Sequence, residues 1–527
     1  VEPSEKYYRY CPGEEHVKIS DAVCRGRRRV HFPKCKGCQF NDDEPRRAEA
    51  PGKPASAAAE VHRAKEKAAM LEKVFKAYDV RGTTPDPLDE DMAWRIGAGA
   101  AQFLRAQLRG PDRADAKAVT IVVGRDMRKS SPALSKALIA GIHATGVNVV
   151  DVGMIDTSQI YFAVNYLQAC GGIQTTASHN PAQYNGFKVC GQRGKPVGAD
   201  TGLNEIRKIA QGLSRTDETG EGRYEQRDLS SEYKQFVRQY LRGAKKMKVV
   251  VDASNGMAGK WFPIVFGDVE ELKIVGLNFE HKGEFVHEPN PLVDANLAQL
   301  RDKVKRSKAD FGVCFDGDAD RCMLVNERAD IVRCDLITAL LAEYFLRQVP
   351  GGTVVYDLRS SRIVPDVIKR AGGVPRRERV GHAFMKKALS DSRGVFGGEL
   401  SGHFYFKDNW YCDSGMLAFV HIVNVLSARD EPLSKLIAPL HKYAASGERN
   451  FKNDDKDGTI KGLARVYGDA KVDFLDGITV QYEDWWFNVR SSNTEPLLRL
   501  NMEADTPEVL KQKLAEVTQY LGEPVDH

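Results

Sequence analysis

Long hydrophobic runs are missing from this chain. No stretch reaches the roughly 18 apolar residues that a bilayer crossing needs, and the longest candidate, Met416 to Leu426, is broken by His421 and Asn424. The first residues, Val-Glu-Pro-Ser-Glu-Lys, carry no apolar signal-peptide core. An excess of one charge is missing from most of the sequence. Residues 1–74 hold 16 Lys and Arg against 12 Asp and Glu, whereas the remaining 453 hold 61 against 60. The body therefore shows no basic surface for nucleic acid. Clustered cysteines are missing from the body too, since six of the ten lie singly beyond residue 38. They read as reduced, buried thiols, and a cytoplasmic location is expected. What remains, 527 residues with 42% hydrophobic and 28% charged, is the composition of a globular chain of about three to four domains.

The most informative stretch is Thr175-Thr176-Ala177-Ser178-His179-Asn180-Pro181, preceded by Gly171 and Gly172 and followed by Tyr184-Asn185-Gly186-Phe187-Lys188. Pro181 has no amide hydrogen and disfavours helical backbone at Asn180. Ser178 is thus expected on a tight, exposed loop, with Lys188 close enough to return to it. A serine hydrolase is disfavoured: no Gly-x-Ser-x-Gly elbow surrounds Ser178, and His179 on an extended loop is expected to point away from it.

In chain order, residues 1–60 form a cysteine-containing extension and linker. Cys11, Cys24, Cys35 and Cys38, with His16 and His31 between them, offer ligands for a structural zinc, and Cys35-x-x-Cys38 supplies half of such a site. Free cysteines or a redox pair are the alternative. Residues 41–60 read as a flexible Pro/Ala linker, and a helix is expected from about 58 to 73. No partner is assigned to this extension. The body carries a weak threefold repeat. Val119–Val123, Lys248–Val251 and Thr353–Tyr356 are β-branched runs ending in Gly-Arg-Asp, Asp-Ala-Ser and Asp-Leu-Arg. Helix-compatible stretches at 132–145, 257–267 and 361–371 follow, then second strands ending at Gly153, Gly276 and Gly381. Strand, helix and strand at this spacing is a βαβ unit with parallel pairing. Three similar α/β domains are expected over 75–230, 231–331 and 332–443, and a smaller α+β domain over 444–527, with a hairpin around Asp476-Gly477 and a closing helix from Pro507.

Three further motifs carry chemistry. The strand Phe311–Phe315 runs into Asp316-Gly317-Asp318-Ala319-Asp320-Arg321, whose carboxylates can converge on one hard cation. An EF-hand is disfavoured because Arg321 stands where that loop needs glycine. Mg2+ that also takes a phosphate oxygen fits better, since Mg2+ seldom uses an all-protein cage. Gly398-Glu399-Leu400-Ser401-Gly402-His403 presents a carboxylate, a hydroxyl and an imidazole at alternate positions, suited to sugar hydroxyls. Arg490-Ser491-Ser492-Asn493-Thr494-Glu495-Pro496 is a run of donors between strands, able to fork onto a phosphate. It lacks the Walker pattern, so a phosphoester is expected there and not a nucleoside triphosphate.

These four motifs, in this order, resemble the α-D-phosphohexomutase family, in particular its bacterial phosphomannomutase/phosphoglucomutase branch. The resemblance covers about residue 75 to the end and implies four domains around a central cleft. It implies that Ser178 carries the phosphoryl group, that Asp316, Asp318 and Asp320 hold Mg2+ with the phosphoserine, and that Glu399 and Ser401, beside His403, meet the sugar. Arg490, Ser492, Asn493 and Thr494 would bind the non-reacting phosphate. Arg81, Lys188, His179, Arg321 and His382 would form the phosphate and proton-transfer surroundings, with Lys188 the candidate base. The implied reaction moves a phosphoryl group between C1 and C6 of mannose or glucose phosphates through a hexose 1,6-bisphosphate. Ala319 departs from the commoner glycine and is expected to be harmless unless its φ is positive. Two rivals are phosphoglucosamine mutase, which Ser492-Asn493-Thr494 disfavours, and a catalytically silent sugar-phosphate-binding regulatory protein, which the intact Ser178, carboxylates and Lys188 disfavour.

Overall fold

The computed structural model describes residues 8–11, 18–20, 23, 24, 27, 35, 69–110, 119–216, 220, 222–492 and 497–525. Two compact units divide the chain at residue 67. In the first, Tyr8–Tyr10 and Lys18–Ser20 pair antiparallel, and Cys11, Ile19 and Cys24 cluster in the interior, with Cys35 also buried. His16, His31, Cys38 and the linker over 41–60 lie outside the described residues. So does most of the helix expected over 58–73, of which 69–73 is helical.

The second unit contains the three α/β domains. Each begins with the anticipated parallel pair: Thr120–Arg125 with Asn148–Met154, Met247–Asp252 with Leu272–Leu277, and Thr353–Asp357 with Val374–Glu378. The repeat extends further than these pairs. A third strand lies parallel on the other side of each first strand: Gly171–Thr175, Phe311–Phe315 and Phe396–Gly398. A fourth returns antiparallel against the third: Tyr184–Gly191, Cys322–Asn326 and Phe404–Phe406. All three domains thus share the order second, first, third, fourth. Gly381 corrects one expectation. The strand before it stops at Glu378, and Gly381, with φ of 132°, leads into the helix His382–Asp391 instead.

Helices cover these sheets for identifiable reasons. Glu90–Gln107 starts where the Asp89 side chain accepts from Met92 N and has two acids in its first turn, favourable at the positive end of the helix dipole. It crosses Ser131–Ala144 at contact distance, because a Cβ on Gly141 would sit 1.9 Å from Trp94 O. The apolar Met416–Leu426 run lies in the helix Gly415–Arg429, whose residues 415–426 are all buried. There Phe419 packs on Phe262, Phe266 and Phe311, joining the second and third domains in one core. No helix among the described residues is long and apolar enough to cross a membrane.

The fourth domain is an antiparallel sheet in the order 471–473, 478–481, 485–491, 497–504, 449–452 and 523–525, with its own core. Helices Lys456–Val466 and Pro507–Thr518 accompany it.

Ala319 is among the non-glycine residues at odds with their backbone. Its φ is +57°, the left-handed region, where a Cβ costs about 1–2 kcal/mol. Ala319→Gly should therefore raise unfolding stability by up to about 1 kcal/mol, the buried methyl offsetting part of the relief. Urea unfolding of both proteins measures this difference.

Candidate active site

The three sheets carry their motifs at one topological point, the loop between the third strand and the antiparallel fourth. These loops, 176–183, 316–321 and 399–403, meet. Ser178 O lies against Gly317, where a Cβ would stand 2.4 Å from it, so only glycine lets the first two loops touch. Cys322 N donates to Gly402 O at 3.1 Å, and Arg321 pairs with His403 as an isolated bridge.

Ser178 is 1% exposed, which corrects the expectation of an exposed loop. Its φ is +50°, and its hydroxyl donates to Asp316 Oδ2 at 2.8 Å. His179 turns towards it rather than away, with Nδ1 3.3 Å from Ser178 Oγ. Burial, with Arg321, Arg81 and Lys188 nearby, pushes the His179 pKa well below its usual value, so the ring is neutral. Arg81 donates to Asn180 Oδ1 at 2.5 Å and pairs with Asp79.

Oxygens of Asp316, Asp318 and Asp320 lie within 4.8 Å of one another, all buried. Lys188 Nζ bridges two of them, 2.7 Å from Asp318 Oδ2 and 2.6 Å from Asp320 Oδ2. Desolvation and the neighbouring Asp318 and Asp320 push the Asp316 carboxyl far up. Desolvation opposes the charge on Asp320 too, but Lys188 and His403 outweigh it and hold Asp320 well below the usual carboxylate range. Lys188 is likewise kept a cation by these carboxylates against its own burial. Asp318 Oδ1 is buried with no hydrogen-bond partner among the described residues. Carboxylate oxygens with an unfilled acceptor suit a hard cation such as Mg2+. The EF-hand is excluded by the strand that begins at Cys322 and by Glu327, which accepts from Ser434 N at 3.1 Å.

His403 links the second and third loops. Its Nε2 is 3.4 Å from Asp320 Oδ1 and its Nδ1 is 3.0 Å from Ser401 Oγ. Glu399 accepts from Gly381 N at 3.1 Å and from Tyr405 OH at 2.5 Å. His382 is half-buried beside His403, at 6.2 Å between ring centroids, and desolvation with Lys386 and Lys188 nearby holds its pKa well below the usual value. Arg490 and Ser492 lie at the end of the fourth-domain strand, both buried. Asn493 and Thr494 lie outside the described residues.

Comparison with known proteins agrees with this geometry. Models of the phosphoglucomutase/phosphomannomutase family match the chain in order: alpha/beta/alpha domain I at 72–217, domain II at 231–329, domain III at 333–443 and the C-terminal domain at 448–519. The chain belongs to this family. It is 40% identical to a phosphomannomutase of Vibrio cholerae over 463 residues, covering 85% of this chain and 98% of the relative. A phosphomannomutase of Escherichia coli is 38% identical, covering 82% and 94%. The crystal structure of a phosphoglucomutase/phosphomannomutase family protein from Burkholderia thailandensis superposes with a TM-score of 0.77 at 33% identity, over 85% of this chain and 97% of that one. The family activity, intramolecular phosphoryl transfer on hexose phosphates, is the activity of this chain.

Several site residues of this phosphohexomutase escaped the sequence. Arg128, fully buried, is the clamp of the serine loop. It donates to Ser178 O at 2.9 Å, Asn180 O at 2.6 Å, Pro181 O at 2.7 Å and Tyr184 O at 3.1 Å, and Asp126 Oδ2 accepts from its Nε at 3.1 Å. Lys386, 3% exposed, pairs with Asp413 at 2.8 Å and donates to Tyr161 OH at 2.8 Å, joining third and first domains beside the acidic loop. The signal for Arg128 was available in Asp126-x-Arg128 at the end of a first strand, a pattern repeated in Asp357-x-Arg359. A lysine ammonium cannot reproduce the planar fork that holds four carbonyls. Arg128→Lys should lose about 2–3 kcal/mol of stability and at least roughly tenfold in turnover, with KM little changed. Unfolding curves and steady-state kinetics check both.

Proposed function

We propose that the chain interconverts hexose 1- and 6-phosphates, of mannose and of glucose, through a phosphorylated Ser178 and a hexose 1,6-bisphosphate. The observation that carries this reading is Ser178 Oγ, 2.8 Å from Asp316 at the junction of three loops. Phosphoryl transfer asks the protein for position and charge more than for covalent work, and each loop supplies a part. Asp316, Asp318 and Asp320 would hold Mg2+ together with a phosphoserine oxygen. When bound, Mg2+ supplies positive charge to the phosphoryl oxygens.

The chain's own residues do the rest. Arg128 fixes the Ser178 backbone, and Arg321 reaches the same oxygens from the second domain, 3.8 Å from Asp316. Lys188, an ammonium paired here with Asp318 and Asp320, is the candidate base for the incoming hydroxyl and has to give up its own proton before it can take another. Glu399, Ser401 and His403 orient the sugar, and Arg490 with Ser492, Asn493 and Thr494 grips the phosphate that does not react. The phosphorylated serine gives its group to O6 of a 1-phosphate. The bisphosphate then turns over, and its 1-phosphate returns to Ser178. Ser178 and Glu399 are each 1% exposed, so the sugar enters only when the domains part, and their closure excludes water that would hydrolyse the phosphoserine. The names of the Vibrio and Escherichia relatives favour mannose.

Incubating the protein with mannose 1-phosphate, Mg2+ and trace glucose 1,6-bisphosphate should yield mannose 6-phosphate. Glucose 1-phosphate should turn over in the same assay, and Ser178→Ala should abolish both reactions. No turnover by the parent sinks the reading, and near-normal turnover by the variant removes Ser178 from it.

For residues 1–60 the proposal is a structural zinc held by Cys35, Cys38 and two of Cys11, Cys24, His16 and His31. A segment with so small an apolar core needs such a staple. Metal analysis of the full-length protein should find one zinc per chain, lost in Cys35→Ser with mutase kinetics nearly unchanged. A zinc-free parent would rule the staple out.

A further inference from the structure

Thr157 enters none of the four sequence motifs, yet it grips the acidic loop from the first domain. The strand Asn148–Met154 stops two residues before Asp156, and the helix Thr157–Tyr166 begins just after it. Asp156 caps that helix, accepting from Gln159 N at 3.0 Å and from Gln159 Nε2 at 3.0 Å. The cap leaves the first helical N–H, that of Thr157, available to a partner outside the helix. It donates to Asp318 O at 3.0 Å, and the Thr157 hydroxyl donates to Asp318 Oδ2 at 2.5 Å. One buried residue of the first domain therefore holds both the backbone and the side chain of a buried carboxylate in the second.

The three carboxylates of the loop are held in different ways. Asp316 Oδ2 accepts from Ser178, and its Oδ1 accepts from Arg321 N at 3.2 Å. Asp320 meets Lys188 through Oδ2 and His403 through Oδ1. Asp318 receives two donors on one oxygen, Thr157 and Lys188 on Oδ2, while its Oδ1 accepts no hydrogen bond among the described residues. Lys188 divides itself between Asp318 and Asp320, whereas the Thr157 hydroxyl has one proton and gives it to Asp318.

We propose that Thr157 is a positioning residue of the metal centre, which fixes Asp318 Oδ2 so that Oδ1 is the oxygen left for Mg2+. The inference rests on the reading of the acidic loop as the Mg2+ site. The two oxygens of a carboxylate are equivalent, and the group turns about the bond that carries it. Mg2+ demands a near-ideal octahedron of ligands at short distance, so an oxygen that swings out of place costs affinity. A hydrogen bond to the other oxygen removes that freedom, as the partners of ligating groups do at metal centres generally. A hydroxyl suits this task because it is neutral. It orients the carboxylate without competing for it as a second cation. The β-branched side chain, on the first turn of a capped helix, has little rotational freedom of its own.

Thr157→Val keeps the shape of the side chain and the backbone bond to Asp318 O but removes the hydroxyl. Thr157→Ser keeps the hydroxyl. Mn2+ binding, read from the free-ion signal in electron paramagnetic resonance, is measured on protein treated with glucose 1,6-bisphosphate and desalted. It should weaken about tenfold in the Val variant and stay within about threefold of the parent in the Ser variant. The Val variant should also need about tenfold more Mg2+ for half-maximal turnover, with KM for mannose 1-phosphate unchanged at saturating Mg2+. Thr157→Ala, with the same loss expected as Val, serves if the Val variant does not fold. A threonine that only ties two domains together predicts unchanged Mn2+ binding in every variant that folds. Unchanged binding in Val or Ala overturns the proposal, as does a Ser variant that loses as much as Val. If the parent itself binds no Mn2+, the assignment of the acidic loop as the metal site falls, and Thr157 with it.

Discussion

Three carboxylates buried within 4.8 Å of one another cannot all remain ionised unless cations are brought to them. The catalytic unit is organised by that requirement. Asp316, Asp318 and Asp320 come from the second domain, but the groups that answer them come from all around: the cations Lys188 of the first domain and Arg321 of the second, and the His403 ring of the third. Each sits on, or one strand beyond, a loop that follows a third strand. Assembling the domains and neutralising the acidic loop are one event. Lys188 stands 2.7 and 2.6 Å from Asp318 and Asp320, whereas Arg321 is 3.8 Å from Asp316. It is the carboxyl bonded to Ser178, the place where a phosphoryl group and a metal would add their charges, that the protein leaves least compensated.

Much of this was legible in the sequence, and the failures have physical causes. The repeated βαβ pairs could be read because buried parallel strands are continuous β-branched runs. The third strands were harder. Gly171–Thr175 and Phe396–Gly398 are short and glycine-rich, since their backbones carry loops that approach other domains, so they have little strand character of their own. That is why the repeat read as three pairs when it is a four-strand order common to sheets of six, five and four strands, with equivalent loops. Ser178 was expected to be exposed because His-Asn-Pro is turn chemistry. Turn chemistry fixes local backbone shape, however, and says nothing of what other domains place on top of it. Gly381 was assigned to a strand end and instead begins a helix, its φ of 132° being open to glycine alone. The apolar run at 416–426 belongs to a helix buried between two domains, which needs apolar residues on every face.

The Asp-x-Arg turns show how one device serves two purposes. Asp126 and Asp357 each accept from the backbone nitrogen two residues on, at 3.0 and 2.8 Å, and each pairs with the arginine that follows. In the second domain Asp252 makes the same turn with Ser254, at 2.9 Å, without a cation. The turn is structural and common to the repeat, whereas the side chain it presents is free to differ. Arg128 is spent on carbonyls of its own domain, where it freezes the nucleophile loop. Arg359 points instead to Glu448 in the next domain.

That difference bears on where the unit can move. The second and third domains share one apolar core, built around Phe262, Phe315, Phe419 and the helix Gly415–Arg429. Separating them would expose aromatic surface at about 25 cal/mol for each Å². The fourth domain has a core of its own. It meets the third through polar contacts: Arg362 N with Glu503 at 2.9 Å, Arg362 with Asp505 at 2.7 Å, Arg377 with Asp473, and Arg359 with Glu448. Such contacts can be traded for water or for a ligand at small net cost, because each partner keeps hydrogen bonds throughout. A phosphate dianion is the ligand best able to make that trade at Arg490. The boundary between third and fourth domains is therefore the least tightly held in the catalytic unit, while the nucleophile loop and acidic loop are tied together by Arg128, Gly317 and a shared core.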